Sequence, residues 1–271
     1  MIKNTGDFFL FYPQWQGSGD TRELYWSAKI LQKALIECNF REIKIAENEE
    51  LVKKYQILGY DSILSQLNTA SVVISESKPK KIFTIGGGCD VEIAPISYLN
   101  NLYKGDLAVV WLDAHGDLNT PESSPSKNFH GMPLRILLGE GEENILKLFP
   151  NSLNNNQVIL IGTRDLDDPE RKYISDHNIS IATTDNLMKT LENKGYTNVY
   201  IHLDLDVIDP KYFNSVKCPA SGGLKIQDVQ NIISIANNLN VVGGSVVEYV
   251  YNPLNKDLEI ARDLFFQISK R

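Results

Sequence analysis

The sequence predicts an α/β protein in three layers, a parallel sheet with helices against both faces. Two observations carry this. Short β-rich runs alternate along the chain with segments whose apolar residues recur at helical spacing. The runs LAVVWL and VILIG are apolar at nearly every position, as strands buried on both faces must be. A third observation concerns organisation: no linker, repeat or low-complexity tract divides the 271 residues. A single domain over 1–271 is therefore the economical arrangement. The polar stretch PNSLNNNQ in the 150s has the composition of a surface loop and is too short to separate domains.

In chain order, the β-rich runs fall at 7–12, 81–85, 107–113, 157–162, 179–182, 198–204 and 241–247. Helical spacing joins Leu24, Ala28, Leu31 and Leu35, then Ile63, Leu67, Ala70 and Ile74, then Ile226, Val229, Ile233 and Ala236. Steps of three and four residues gather each set into one apolar stripe. Cys38 reads as apolar filler in the first of these helices. In open α/β sheets ligands gather at the carboxyl ends of the strands. The residues following each run therefore carry the functional information.

Composition excludes several classes first. The three cysteines, Cys38, Cys89 and Cys218, are odd in number and widely spaced, which argues against a disulfide framework and for a reducing, cytoplasmic setting. The run MIKNTGDFFLFYPQW carries one basic residue and is broken by Pro13, too short for a signal peptide or a membrane span. Acidic residues outnumber basic ones 34 to 27, for a formal charge of −7. That balance disfavours a nucleic-acid partner and mildly favours a cationic small molecule.

Four strand ends are chemically loaded: Gly88, Cys89 and Asp90 after the run at 81; DAHGD at 113–117; DLD at 204–206; and Glu248 after the last run. Extended chain would put Asp113, His115 and Asp117 on one side, and Asp204 and Asp206 likewise. Any one of these carboxylates is ordinarily a cap or a solvated loop residue. Four aspartates packed together repel one another unless cations sit among them, so a metal site is the physical default. Carboxylates with one imidazole suit hard or borderline divalent ions, manganese first, and Asp113 and Asp204 could each bridge two of them. A pair of ions about 3.5 to 4 Å apart supplies a hydroxide nucleophile at neutral pH, which implies hydrolysis. For Cys89 three roles compete: core filler, nucleophile or ligand. The GGG run does not complete G-x-G-x-x-G, because Val91 stands where the third glycine belongs.

The motifs WLDAHGDLNTPESSPSKNFHG, IGTRDLDDPE, IHLDLDVIDP and VVEYVYNP resemble those of the arginase family, the ureohydrolases, in order and spacing over most of the chain. The N-terminal stretch WQGSGDTRELYW departs from the family's usual segment. The resemblance implies an arginase-like, mostly parallel eight-stranded α/β/α fold, two Mn2+ ions and cleavage of a guanidino C–N bond. It implies one metal held by Cys89, Asp113, Asp117 and Asp204, and another held by Asp113, His115, Asp204 and Asp206. The family usually writes GGDHS where this chain has GGGCD, so Cys89 replaces a histidine ligand. A thiolate is softer and adds negative charge, which admits Zn2+ or Fe2+ at the Cys89 site. A cysteine here looks like the branch that hydrolyses N-omega-hydroxy-L-arginine to ornithine and hydroxyurea.

By the same resemblance, Asn119, Ser126 and Asn128 would bind a substrate α-carboxylate. Asp167 would take the α-ammonium, with Glu170 assisting and Asp165 holding the loop. Glu248 would face the guanidinium. His130 would deliver a proton to the leaving amine, and Asp117 would relay the proton of the attacking hydroxide. Cys218 would line the pocket, while His177 and His202 read as structural. The expected substrate is a small guanidino amino acid, and a homo-oligomer is compatible with the family. Rival readings are another ureohydrolase (agmatinase, guanidino acid hydrolase or formimidoylglutamase), a one-zinc hydrolase on Cys89, Asp113 and Asp204, or a non-catalytic metal- or ligand-binding regulator.

Overall fold

The computed structural model describes residues 6–19 and 21–270. Residues 1–5, with which the leader reading begins, lie outside them. In chain order the elements are β1 (Asp7–Tyr12), α1 (Glu23–Ala34), β2 (Phe40–Glu42), β3 (Lys53–Lys54), β4 (Ile57–Leu58), α2 (Tyr60–Ser77), β5 (Lys81–Gly86), α3 (Ile93–Leu102), β6 (Ala108–Leu112), α4 (Pro133–Leu137) and α5 (Glu143–Leu148). They continue with β7 (Val158–Ile161), α6 (Asp168–Asp176), β8 (Ser180–Ala182), α7 (Leu187–Lys194), β9 (Asn198–Asp204), α8 (Ile226–Ala236), β10 (Asn240–Val247) and α9 (Asp257–Ser269). Eight strands form one sheet in the order β2-β1-β5-β10-β9-β6-β7-β8, and every pairing in it is parallel. The short β3 and β4 pair antiparallel beside it.

Alternation along the strands builds two cores. In β6, Val109 and Trp111 face one side, with residues of α2, α3 and α5. Ala108, Val110 and Leu112 face the other, with residues of α1, α7, α8 and α9. These are the three layers that the apolar runs predict.

Two details differ from the sequence reading. The edge strand β2 was not legible, because FRE is three residues with no apolar alternation; its pairing with β1, Phe9 opposite Phe40, makes it a strand. Helix α1 ends at Ala34, so Cys38 lies in the turn beyond it rather than in the helix. Among the described residues no helix is long and apolar enough to cross a membrane.

Candidate active site

Parallel register brings the carboxyl ends of β5, β10, β9 and β6 together. After β5 the chain turns through Gly87 and Gly88 into a short 3₁₀ turn, Cys89–Glu92. Gly87 packs on the exit of β1: its N–H donates to Tyr12 O at 3.1 Å, and its carbonyl accepts from Glu248 N at 2.7 Å. A Cβ there would lie 1.6 Å from Gln14 O, so glycine is required by close approach. The turn buries Cys89 to 2% exposure, and its Sγ donates to Asp204 Oδ2 at 3.1 Å. Burial first, then the carboxylates of Asp204, Asp117, Asp113 and Glu248, push this thiol well above its ordinary pKa. A thiolate ligand here needs a cation beside it.

The aspartates converge, but not as extended chain. Strand β6 stops at Leu112, and DAHGD bends at Ala114 and His115. Asp117 has φ 53°, in the left-handed region. Asp206 sits in a 3₁₀ turn whose first N–H bonds return it to the strand end, Asp206 N donating to Asp204 Oδ1 at 2.8 Å. Period-two spacing thus picked out residues that the structure does bring together, but through loops that curl where the ladder ends rather than through extended chain.

His115 Nδ1 lies 3.0 Å from Asp206 Oδ2 and 3.4 Å from Asp113 Oδ1. Burial would lower its pKa, but those two carboxylates outweigh it and raise it. Burial likewise favours neutral Asp113, yet the imidazoles of His115 and His202 beside it hold its carboxyl below the usual range. Burial and mutual repulsion push Asp117 and Asp204 well up, and bring Asp206 to about 6. Ligand atoms close enough to share an ion fall into overlapping groups: Cys89, Asp113, Asp117 and His202; Cys89, Asp204 and Glu248; and Asp113, His115 and Asp206. Asp117 Oδ2 is buried without a hydrogen-bond partner. Crowded carboxylates of this kind fit divalent cations. Asp204 groups here with Cys89 and Glu248 rather than with Asp113.

Glu248 follows β10 with φ 58°, a conformation costing roughly 1–2 kcal/mol for a non-glycine residue. It is 2% exposed. Its Oε1 accepts from Ser18 Oγ at 3.0 Å and pairs with His130 Nδ1 at 2.9 Å, while Oε2 has no partner. Burial would lower the His130 imidazole, but Glu248 outweighs it and holds the pKa raised. Ser18 belongs to WQGSGD, and its role was missed because a serine in an unmatched segment carries no local signal.

A cavity of ≈ 210 Å³ lies over these groups. It is lined by Cys89, His115, Asp117, Asn119, Ser124, Ser126, His130, Asp165, Asp167, Glu170, Asp204, Asp206, Cys218 and Glu248, among others. Asn128 is not among the lining residues; its amide lies against Gly19. Ser124, two residues before Ser126, does line it. Asn119 Nδ2 donates to Asp167 Oδ2 at 2.9 Å. Glu170 anchors the loops, Oε1 accepting from Leu118 N at 3.0 Å and Oε2 from Asp167 N at 2.9 Å. Burial, then Glu248, lifts the Cys218 thiol to about 12.

Asp165 does not hold its loop by its side chain, which is exposed and 3.8 Å from His115 Nε2. Arg164 does, its guanidinium donating to the carbonyls of Gly162, Asp206, Val207, Ala220 and Ser221 at 2.7–3.3 Å. A surface-like arginine in TRD gave no hint of this. His177 caps α6, stacked on Tyr173.

Comparison with known proteins agrees with this geometry. Residues 22–263 match the family model described as Arginase family. An arginase of Staphylococcus aureus (strain COL) is 34% identical over 210 residues, covering 72% of this chain and 69% of that one. An arginase of Bacillus subtilis (strain 168) is 34% identical over 201 residues, covering 68% and 65%. The crystal structure of Entamoeba histolytica arginase in complex with L-ornithine superposes with a TM-score of 0.85 at 21% identity, covering 97% and 96%. Sequence match, fold and a carboxylate-rich pocket at the strand ends converge on one assignment: the chain belongs to the arginase family of metal-dependent hydrolases that act on linear amidines.

Proposed function

We propose that the chain, acting as one domain over 1–271 in the cytoplasm, cleaves the guanidino C–N bond of L-arginine or N-omega-hydroxy-L-arginine. The products are ornithine and urea or hydroxyurea. The observation that carries this is the charge of the cavity wall: its charged lining side chains are carboxylates and two imidazoles, with neither lysine nor arginine among the described residues. Such a wall suits dications and a cationic substrate. It disfavours a substrate with a second carboxylate, such as a formimidoyl glutamate.

Cys89, Asp113, Asp117, Asp204, His115 and Asp206 would hold two Mn2+ ions, which when bound supply a hydroxide nucleophile at neutral pH. The unpaired Oε2 of Glu248 is available to a guanidinium nitrogen while Oε1 keeps His130 in place. His130, whose pKa Glu248 raises against the opposing effect of burial, would donate to the departing amine. Asp117 would accept the nucleophile's proton and pass it to the departing nitrogen, its Oδ2 being buried without another hydrogen-bond partner. Ser126, Ser124 and Asn119 support the substrate's α-carboxylate, and Asp167 its α-ammonium. Asn128 would act through the loop rather than on the cavity wall.

The buried thiol of Cys89 favours a second reading, a zinc or iron ion at that site. The test compares turnover of L-arginine, N-omega-hydroxy-L-arginine and agmatine by manganese-loaded enzyme, with metal analysis of protein purified without added metal. Ornithine from either amino acid with agmatine inert is the expected result. One zinc per chain supports the one-metal reading, and binding without turnover of any guanidino compound supports a regulator.

A further inference from the structure

Beneath the candidate ligands lies a buried layer that the proposed reaction does not use. Trp111 and His202 stand opposite each other on β6 and β9, their rings stacked 3.6 Å apart at 22°. Both are aimed at one atom. Trp111 Nε1 donates to Asp113 Oδ2 at 3.2 Å, and His202 Nε2 faces the same oxygen at 3.7 Å. The other imidazole nitrogen, Nδ1, faces Glu92 Oε1 at 3.6 Å.

Glu92 and His202 are both 0% exposed. Neither oxygen of Glu92 nor either ring nitrogen of His202 has a hydrogen-bond partner at ordinary distance, though the buried Tyr200 hydroxyl also faces Glu92. Burying such groups is costly, and replacing them with apolar residues is often neutral or favourable. A layer kept at that cost, outside the cavity wall, needs a function. Its placement indicates one. Trp111 precedes Asp113 by two residues and His202 precedes Asp204 by two, so each lies under a ligand on the same strand face. Glu92 closes the 3₁₀ turn that Cys89 opens.

We propose that Glu92 and His202 are positioning residues: Glu92 holds the imidazole, and the imidazole, braced on Trp111, holds the Asp113 carboxylate in the orientation that ligates metal. This rests on the reading of Asp113 as a ligand. It also ties the Cys89 turn to the Asp113 strand end, so that ligands from two elements keep one geometry. Partners behind a metal ligand of this kind usually change metal affinity about 10- to 100-fold when removed. His202 also comes within ligand range of Cys89, Asp113 and Asp117. Direct ligation by His202 is therefore the competing outcome. Its convergence with Trp111 on Asp113 Oδ2 favours positioning.

The experiment titrates metal-free parent, Glu92→Gln, His202→Gln and Trp111→Phe with Mn2+, counting sites and affinity from the spin-resonance signal of the free ion. Thermal unfolding of each metal-free protein and kcat and KM on L-arginine accompany it. The expected result is an unchanged number of sites in every variant, with Kd raised about tenfold or more in Glu92→Gln and His202→Gln. Metal-free unfolding midpoints should stay near the parent's, and kcat should fall with KM little changed. Kd values within twofold of the parent overturn the proposal. Loss of one whole site in His202→Gln also overturns it, in favour of direct ligation. Should His202→Gln fail to fold, the isosteric Glu92→Gln decides alone. A parent that binds no dication overturns the ligand reading of Asp113 and this inference with it, whereas a parent that binds normally beside unchanged variants overturns this inference only.

Discussion

At the scale of single residues, the most informative position is Cys89. Its thiol is held neutral by burial and by neighbouring carboxylates, so ligation must come with deprotonation. Replacing it by histidine removes one negative charge and restores a borderline donor. Cys89→His is expected to retain manganese more tightly and to shift preference toward arginine over its N-hydroxy derivative. Equilibrium dialysis and paired kinetics check this; unchanged metal content with an unchanged substrate ratio counts against ligation. In the sequence, Asp90 beside it marks only part of a loaded strand end. Its oxygens are buried without partners, and burial, eased by His130, lifts its carboxyl to about 7. An unfolded aspartate titrates near 3.9. Between those values the folded chain holds a proton that the unfolded chain has released, so Asp90 lowers stability as pH rises across that window. Asp90→Asn removes that loss. In metal-free protein it should be more stable than the parent at about pH 8, by up to on the order of 3 kcal/mol, with the gain vanishing near pH 4. Urea unfolding at several pH values measures it, and parallel curves would refute the assignment.

At the scale of elements, the site depends on close backbone approach and on one cross-linking side chain. In Gly87→Ala the new methyl would meet Gln14 O from the exit of β1. Neither strand can yield, so the variant should lose more than about 4 kcal/mol or fail to accumulate. Circular dichroism and expression yield report this. Arg164 joins the loop after β7 to the turn after β9 and to the segment at 220–221 through five carbonyls. Lysine keeps the charge but not the planar fork. Arg164→Lys should cost about 2–3 kcal/mol and raise KM roughly tenfold as Asp167 and Asp206 lose their footing. A stability loss with unchanged KM would mean that the loop is positioned by other contacts. Neither feature was legible beforehand. A glycine in GGG and an arginine in TRD acquire their meaning from chain segments tens of residues away.

At the scale of the whole molecule, crowded carboxylates link folding to metal. Burial and repulsion raise Asp117, Asp204 and Asp206 in the metal-free state. Metal-free stability should therefore fall as pH rises through about 6, because the unfolded chain ionises these groups freely. Dications compete with the protons and should cancel that fall. A ligand at 100 times its Kd stabilises by about 2.7 kcal/mol, so manganese should raise the unfolding midpoint, chelation should reverse it, and the gap should widen from about pH 5 to about pH 8. A gap independent of pH would mean that these carboxylates do not hold the ions. The sequence by itself determined the layered parallel sheet, through apolar runs and helical spacing. It also determined which residues stand at the strand ends, because parallel strands all deliver their carboxyl termini to one edge. Only the tertiary structure decided how Asp117 and Asp206 curl back, that Ser18 and His130 share Glu248, and that Glu92, His202 and Trp111 converge beneath Asp113. Those contacts depend on strand order and register, which bring together residues whose local sequence records nothing of their partners.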